Sequence, residues 1–396
     1  MTLLASLGSN PPLNSPFLIE IDSSGNGNAI DYENPSQSNQ GTAAHFSSGA
    51  FLKQDTTAFS TARIVGNYAF GFPAEAGTFL ADGAGNLTSG ECDLQIKGGP
   101  NPLTYTVMFS AADLSVAATG RGTATLDLSD GVTIPLIFYV VNSAKLFALI
   151  QAVPPSSAVV ATEIVQSTGT PYSNSSLNGV SVVGLQSFGG NSAQVGLTTW
   201  DGSGNFTLST DQNDFGVLSS PGYTGTYSVA PNGRVTLTSS GQSAPILYLS
   251  GPNQGFVVGT DISATAGQIV NQSGSQFSST SFSGSYLGWS WPPIDSSVDF
   301  ELDAFTADGA GNLTGTSYLN DYLLGPSSAA VSATYTVSST GRGVVTQNGA
   351  TTGTLCRQRK SCCYRERQSI NQSWSRCRTR KLPVHSGLHP TMPYRV

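Results

Sequence analysis

Residues 82–88 read DGAGNLT, residues 201–207 read DGSGNFT and residues 308–314 read DGAGNLT. Asp-Gly-x-Gly-Asn crowds two glycines and two Asx residues into five positions, the residue types that accept positive φ and hydrogen-bond their own backbone. In the first copy the loop lies between Thr78-Phe79-Leu80 and Leu87-Thr88, with apolar and β-branched residues on both sides. A turn flanked in this way predicts a β-hairpin. Three copies of the turn predict three copies of whatever fold contains it.

Other markers recur around the turn. Gly66-Asn67-Tyr68, Gly179-Val180-Ser181 and Gly284-Ser285-Tyr286 precede it. Tyr-[Thr/Ser]-Val and then Gly-Arg follow it, at Tyr105 with Gly120-Arg121, Tyr227 with Gly233-Arg234 and Tyr335 with Gly341-Arg342. The order never changes and the period is about 110 residues. Solenoid repeats span only about 20–50 residues, so each of these longer units has room for its own core. The most apolar stretch, residues 132–153, is interrupted by Pro135, Asn142, Ser143 and Lys145. Its counterpart in the next unit breaks at a Ser-Gly-Pro-Asn-Gln-Gly turn, which makes both stretches hairpins rather than membrane spans. Consecutive hairpins form a meander. The fold expected is therefore all-β, tandem antiparallel meander repeats of about 110 residues, each an up-and-down β-barrel, with a β-sandwich as the alternative.

This pattern divides the chain into a remnant of a preceding repeat plus linker (1–57), repeat 1 (58–170), repeat 2 (171–275), a truncated repeat 3 (276–355) and a disordered basic tail (356–396). Residues 17–22 (FLIEID) align with residues 256–261 (FVVGTD), which makes the residues before about 40 the last strands of an earlier repeat. Repeat 3 follows the pattern to Thr354-Leu355 and then reads CRQRKSCCYRER where YVVNSAK is expected. A shift of one nucleotide within Leu355 lets Cys356 to Lys360 become Val, Val, Ser, Ala and Lys, so the tail is expected to be an out-of-frame translation. Its Cys356, Cys362, Cys363, Cys377, His385 and His389 contain no CxxC pair and predict no zinc site. The start, MTLLASLGSNPPLNSP, has no basic segment and too short an apolar core for a secretory signal, so an N-terminal truncation is expected.

Composition narrows function by exclusion. Only 10% of residues are charged and the long helix formers are scarce. Ten of the 17 basic residues follow Leu355, with Glu366 as the one acid there, so the body holds 7 basic against 23 acidic residues. That balance repels phosphate backbones and anionic lipid and argues against nucleic-acid and membrane-surface binding. Cys92 is the one cysteine of the body, too few for a disulfide framework. The body has a single histidine, His45, and no G-x-S-x-G elbow, phosphate loop or dinucleotide fingerprint, so neither catalysis nor a cofactor is expected.

The candidate sites each have a structural explanation beside the functional one. Asp82, Asp201 and Asp308 could hold calcium, but each loop brings one carboxylate where calcium takes six to eight oxygens. The sequons at Asn86, Asn205 and Asn312 belong to the same turns. Asp299, Glu301 and Asp303 alternate with Val298, Phe300 and Leu302, which on a strand puts the acids on one face. A half-exposed strand with its acids in water is the reading preferred, ahead of sugar or cation contact and of paired-acid glycoside hydrolysis. Trp289 and Trp291 share a face and are read as core before sugar-stacking. Arg121, Arg234 and Arg342 each follow a turn glycine and are read as turn-flanking or cross-strand residues.

The combination of Gly-x-Tyr, Phe-x-Ala-Asp-Gly-x-Gly-Asn-Leu-Thr, Tyr-Thr-Val with Gly-Arg-Gly, and Phe-Tyr-Val-Val resembles the repeats of uncharacterised bacterial secreted or surface tandem β-repeat proteins. The resemblance covers about residues 58–355 and implies export and an extracellular or cell-surface role, with no activity attached. Gly-x-Tyr on a first strand is also similar to the Gly-x-Trp of lipocalin-like barrels. The function expected is noncatalytic: a structural, adhesive or spacer protein whose partners are other repeat chains or surface glycans. A ligand-binding barrel array for small apolar molecules or glycans is the alternative, and a carboxylate-based glycoside hydrolase comes last.

Overall fold

The computed structural model describes residues 2–7, 13–31, 48–72, 75–95, 103–108, 112–150, 160–187, 192–214, 217–240, 244–260, 265–274, 276–289, 300–321, 325–347 and 350–355. His45, Trp291, Asp299 and the whole tail 356–396, with its cysteines and histidines, lie outside them. The described residues form antiparallel strands joined by turns, with four short 3-10 segments and no α-helix, so the fold class read from the sequence holds.

Residues 178–271 close on themselves. Eight strands run in chain order, Asn178–Ser187, Ser192–Asp201, Asn205–Asp214, Gly222–Val229, Arg234–Ser239, Ile246–Gly251, Gln254–Val258 and Thr265–Asn271. Each pairs with the next, and the last pairs with the first, Val182 opposite Val270. This is an up-and-down barrel. Its interior is filled by Val183, Leu185, Trp200, Phe206, Tyr227, Val235, Leu247, Leu249, Val257 and Ile269.

Residues 65–166 repeat the arrangement. Val65–Phe72 pairs with both Glu75–Asp82 and the final strand Val160–Gln166, and an interior of Tyr68, Phe70, Phe79, Phe138, Leu146 and Ile164 fills the space. The fourth strand is split into Leu103–Val107 and Ser115–Val116. Closure is made by a bridge between Val107 and Leu128 and by Met108 N donating to Asp127 O (2.7 Å). The split changes an alignment. Tyr227 N and Tyr335 N donate to Gly204 O and Gly311 O, and the residue that donates to the matching Gly85 O is Leu114, six residues before Gly120, not Tyr105. Tyr105 belongs to the extra half-strand.

Among the described residues the third unit is open. Its six strands, Ser283–Trp289, Phe300–Asp308, Asn312–Asp321, Gly325–Val337, Arg342–Gln347 and Ala350–Leu355, match the first six of the closed barrels, and its two edge strands do not pair with each other. The N-terminal sheet, Thr2–Leu7, Leu13–Ile21, Gly27–Asp31 and Ser48–Phe51, corrects the reading of FLIEID. Asp22 Oδ1 accepts from Ser24 N (2.8 Å) and Asn26 N (3.0 Å), as Asp82 Oδ1 accepts from Ala84 N (2.7 Å) and Asn86 N (3.0 Å). Residues 22–26 are thus the same turn with Ser23 in place of one glycine. Residues 17–22 belong to a second strand of the pattern, not to a penultimate one.

Entry to each unit follows a motif that the sequence contains but the markers above omit. Phe59-Ser60, Tyr172-Ser173 and Phe277-Ser278 start 3-10 turns that end next to the buried Ile64, Leu177 and Phe282. The aromatic ring lies where a side chain on the glycine of Gly-Arg would go: a Cβ on Gly120 would come within 2.6 Å of Phe59, and one on Gly233 within 2.8 Å of Tyr172. Both glycines also have φ near +80 to +95°, so no other residue serves there.

Inside the barrels, bulk is traded between strands. Gly66 pairs with Ala81 and Gly179 with Trp200. Tyr68 fills the first barrel at this level and donates to Ser143 O (2.7 Å). In the second barrel, Ser181 leaves room for the Trp200 indole, accepts its N–H (3.0 Å) and donates to Asn253 O (2.9 Å). The volume and the bond to the far turn are both kept.

Candidate functional site

The most developed polar arrangement in the described residues lies between the barrels. The strand-flanking Arg234 of the second barrel reaches Asp93 of the first, 141 positions away, with Nε donating to Oδ2 (2.7 Å) and Nη2 to Oδ1 (2.9 Å). Tyr248 Oη donates to Oδ2 (2.6 Å) and Thr104 Oγ1 to Oδ1 (2.5 Å). Asp93 is fully buried, and this set of donors replaces the water it has lost. Burial first, and then the Asp93 charge, pushes the Tyr248 hydroxyl up, which keeps it a donor. Asn232 Nδ2 donates to Glu91 Oε2 (2.7 Å), and Arg234 Nε stands 3.4 Å from Glu91.

Apolar packing surrounds this clasp. Ile246, Tyr248, Phe256 and Val258 on the outer face of the second barrel pack against Ala69, Ala76 and Val165 of the first. Small residues on the receiving barrel let the rings approach. A Cβ on Gly71 would lie 2.5 Å from Phe256.

The next junction reuses the chemistry. Arg342 of the open sheet donates through Nε to Asp211 Oδ2 (2.7 Å) and through Nη2 to Oδ1 (3.0 Å), and Ser220 Oγ donates to Oδ1 (2.8 Å). The Arg342 hydrogen bond holds the Asp211 carboxyl below its usual range. Cross-strand neighbours show the equivalence: Ala76 faces Asp93, Val195 faces Asp211, and Leu302 faces Tyr318. At this third position the aspartate has become tyrosine, and the face is apolar. Leu302 there packs with Ile30, Leu18 and Tyr318, so the N-terminal sheet covers it. The recurrent arginines are cross-strand residues as expected, Arg234 opposite Tyr248, but two of the three also recognise a neighbouring unit.

The calcium candidates are committed to their turns. Asp201 Oδ1 accepts from Ser203, Gly204 and Asn205 N (2.8, 2.9 and 2.9 Å), and Asn205 Nδ2 donates to Oδ2 (2.5 Å). The Asn205 hydrogen bonds, followed by those from Ser203, lower this carboxyl to about 2. Asp308 is held the same way through Asn312 and Ala310, also to about 2, and Asp82 is lowered through Asn86. Among the described residues no group of three or more His, Cys, Asp or Glu side chains is placed to hold a metal.

The acidic strand departs from the solvated-face expectation. Asp303 is buried and Glu301 half-buried, because the sheet curls and Phe305 and Ala307, farther along the same face, lie in its core. Ser317 Oγ donates to Glu301 Oε1 (2.5 Å). Asp303 lines a cavity of about 50 Å3 with Phe282, Gly288, Phe305, Leu313 and Val345. Glu20 of the N-terminal sheet is raised to about 7, by burial first and by the Asp303 charge second. Trp289 ends the first strand of this sheet, and its partner candidate Trp291 lies outside the described residues.

No known protein family matches the sequence, and no curated protein does. Among solved structures, a DUF3598-family protein of unknown function from Nostoc punctiforme PCC 73102 is similar at 9% identity, over 71% of this chain and 98% of that one, with a TM-score of 0.18. A likeness that faint carries no argument about this chain. No helix among the described residues is long and apolar enough to cross a membrane.

Proposed function

We propose that the chain is a noncatalytic structural protein, a series of filled β-barrels docked wall to wall, that serves outside the cell as a spacer or adhesive. The observation that carries this reading is the clasp between Arg234 and Asp93, with its recurrence between Arg342 and Asp211. It fixes the order and orientation of neighbouring units, which a flexible linker alone would leave free. Side chains occupy the two closed interiors. The cavity of about 50 Å3 beside Asp303 has room for about one or two waters, against the roughly 300–1,000 Å3 of small-molecule sites, so ligand storage is the weaker reading. The acidic body and its near lack of cysteine agree with a surface location.

Two measurements test the proposal. Small-angle scattering of the chain should fit one rigid arrangement of the two barrels, and Arg234→Glu should convert it to a flexible pair. Protease shaving of intact cells of the native host should release peptides of residues 58–355. Flexible scattering from the unaltered chain contradicts the structural part, and recovery only after lysis contradicts the location.

A further inference from the structure

The face by which the second barrel docks has a more exposed counterpart on the first barrel. In the second barrel, Arg234 pairs with Tyr248, Tyr248 with Phe256, and Ile246 with Val258. In the first, Arg121 pairs with Tyr139, Tyr139 with Phe147, and Ile137 with Leu149. Residue for residue the two faces read Arg, Tyr, Phe, Ile and Val against Arg, Tyr, Phe, Ile and Leu. Their surroundings differ. Ile246, Tyr248, Phe256 and Val258 are all buried against the first barrel, whereas Tyr139 is 51% and Leu149 37% exposed. Arg121 is exposed and has no ion pair among the described residues. Lys145 lies 5.9 Å from the centre of the Phe147 ring and is paired with Glu163 (2.8 Å), so Arg121 is the cation this face leaves unpaired.

Building on the proposed wall-to-wall array, we infer that this face of the first barrel is a docking surface for a further barrel of the same type, one that presents a carboxylate among small residues as Asp93 is presented with Ala69, Gly71 and Ala76. The established junction supplies the geometry. Arg121 forks onto the incoming aspartate, the Tyr139 hydroxyl donates to it, and the Phe147 and Leu149 side chains cover the small residues. Charge supports the match, since Arg121 is an exposed cation without an ion pair among the described residues, on a body with 7 basic and 23 acidic residues. The contact is heterologous, with different surfaces on its two sides, so it extends a series instead of closing a symmetric dimer.

The test uses the full chain and a probe consisting of residues 52–167 with Arg121→Glu and Tyr139→Glu, which offers its Asp93 face alone. The core of that barrel is built entirely from residues 58–164, and a cooperative melt with a β-type circular dichroism spectrum verifies its fold. Sedimentation velocity should show a one-to-one complex of probe and full chain. Arg121→Glu in the full chain should weaken it at least about tenfold, as removal of an interface anchor does, and so should Asp93→Arg in the probe. A folded probe that leaves the full chain unshifted at its highest soluble concentration overturns the inference, as does a complex indifferent to either substitution. If the probe does not fold, the full chain with Arg234→Glu and Tyr248→Glu uncovers Asp93 in place. It should then self-associate through Arg121, and a monomer there overturns the inference equally. Rigid scattering from the unaltered chain with no probe binding would leave the proposed array standing and remove only this surface.

Discussion

Two junctions in this molecule use the same pair of side chains and differ in almost everything around them. At the first, Asp93 is 0% and Arg234 21% exposed. At the second, Asp211 is 21% and Arg342 48% exposed. The difference follows from how many strands each unit has among the described residues and from one residue exchanged on the sixth. The seventh strand of the second barrel brings Phe256 and Val258 to the first junction, and its sixth brings Tyr248. The open sheet has no described strand beyond Ala350–Leu355, and Leu355 stands opposite Arg342 where Tyr248 stands opposite Arg234. A clasp of fixed geometry is therefore strong or weak according to the apolar cover that later strands supply.

The largest effect expected from this contrast comes from removing one partner of the buried pair. Arg234→Ala should cost about 3–5 kcal/mol, because it strands a buried carboxylate. It should uncouple the melting of the two barrels. Differential scanning calorimetry reads both consequences, and a loss below about 1 kcal/mol would break the contrast with the second junction.

A pH experiment asks whether the first junction couples the barrels. Glu75 is 5% exposed in the first barrel beside Cys92, and burial raises its carboxyl from 4.5 to about 7. Its contribution is therefore fully present below about pH 4.5 and is lost as pH rises through 7, where the folded barrel must hold a buried charge. Glu75→Gln should remove this dependence and stabilise the first barrel at pH 8 by up to about 3 kcal/mol. If the junction couples the barrels, the second should follow it in the melt while the open sheet does not.

Tyr248→Phe deletes one donor to Asp93 and should cost about 1.5–3 kcal/mol, the range of hydrogen bonds to charged groups. The converse change, Leu355→Tyr, should add no more than about 1 kcal/mol at the half-exposed second junction, and Arg342→Ala should remove about 0–1 kcal/mol. Urea denaturation of these three variants and Arg234→Ala ranks them, and a reversed order would mean that burial does not set the strength of the clasp.

Local chemistry was legible in the sequence and distant chemistry was not. The Asp-Gly-x-Gly-Asn turns were readable because Asp82, Asp201 and Asp308 bond only within their own five residues. The same turn at Asp22 is hidden because Ser23 replaces one glycine, which leaves FLIEID looking like a later strand of the pattern. Tyr105 was paired with Gly120-Arg121 across an inserted half-strand, since Leu114, the residue in the matching position, lacks the hydroxyl that makes Tyr227 and Tyr335 recognisable. Those hydroxyls donate to Leu177 O (2.8 Å) and Phe282 O (2.6 Å) at the entry turns. The recurrence of Arg121, Arg234 and Arg342 was visible. Their partners were not, because Asp93 and Asp211 lie in the preceding unit at a spacing that no local pattern records. The acidic strand misled for a related reason: alternation gives the face of a strand, but curling of the sheet decides which face is inside.

A pair of double-mutant cycles, Arg234 with Asp93 and Arg342 with Asp211, each residue changed to Ala and unfolding followed in urea, tests the account most directly. Coupling at the first pair should exceed about 1.5 kcal/mol, and coupling at the second should stay below about 1 kcal/mol. Equal couplings, or none at the first pair, would contradict the claim that buried arginine–aspartate clasps hold these barrels in series.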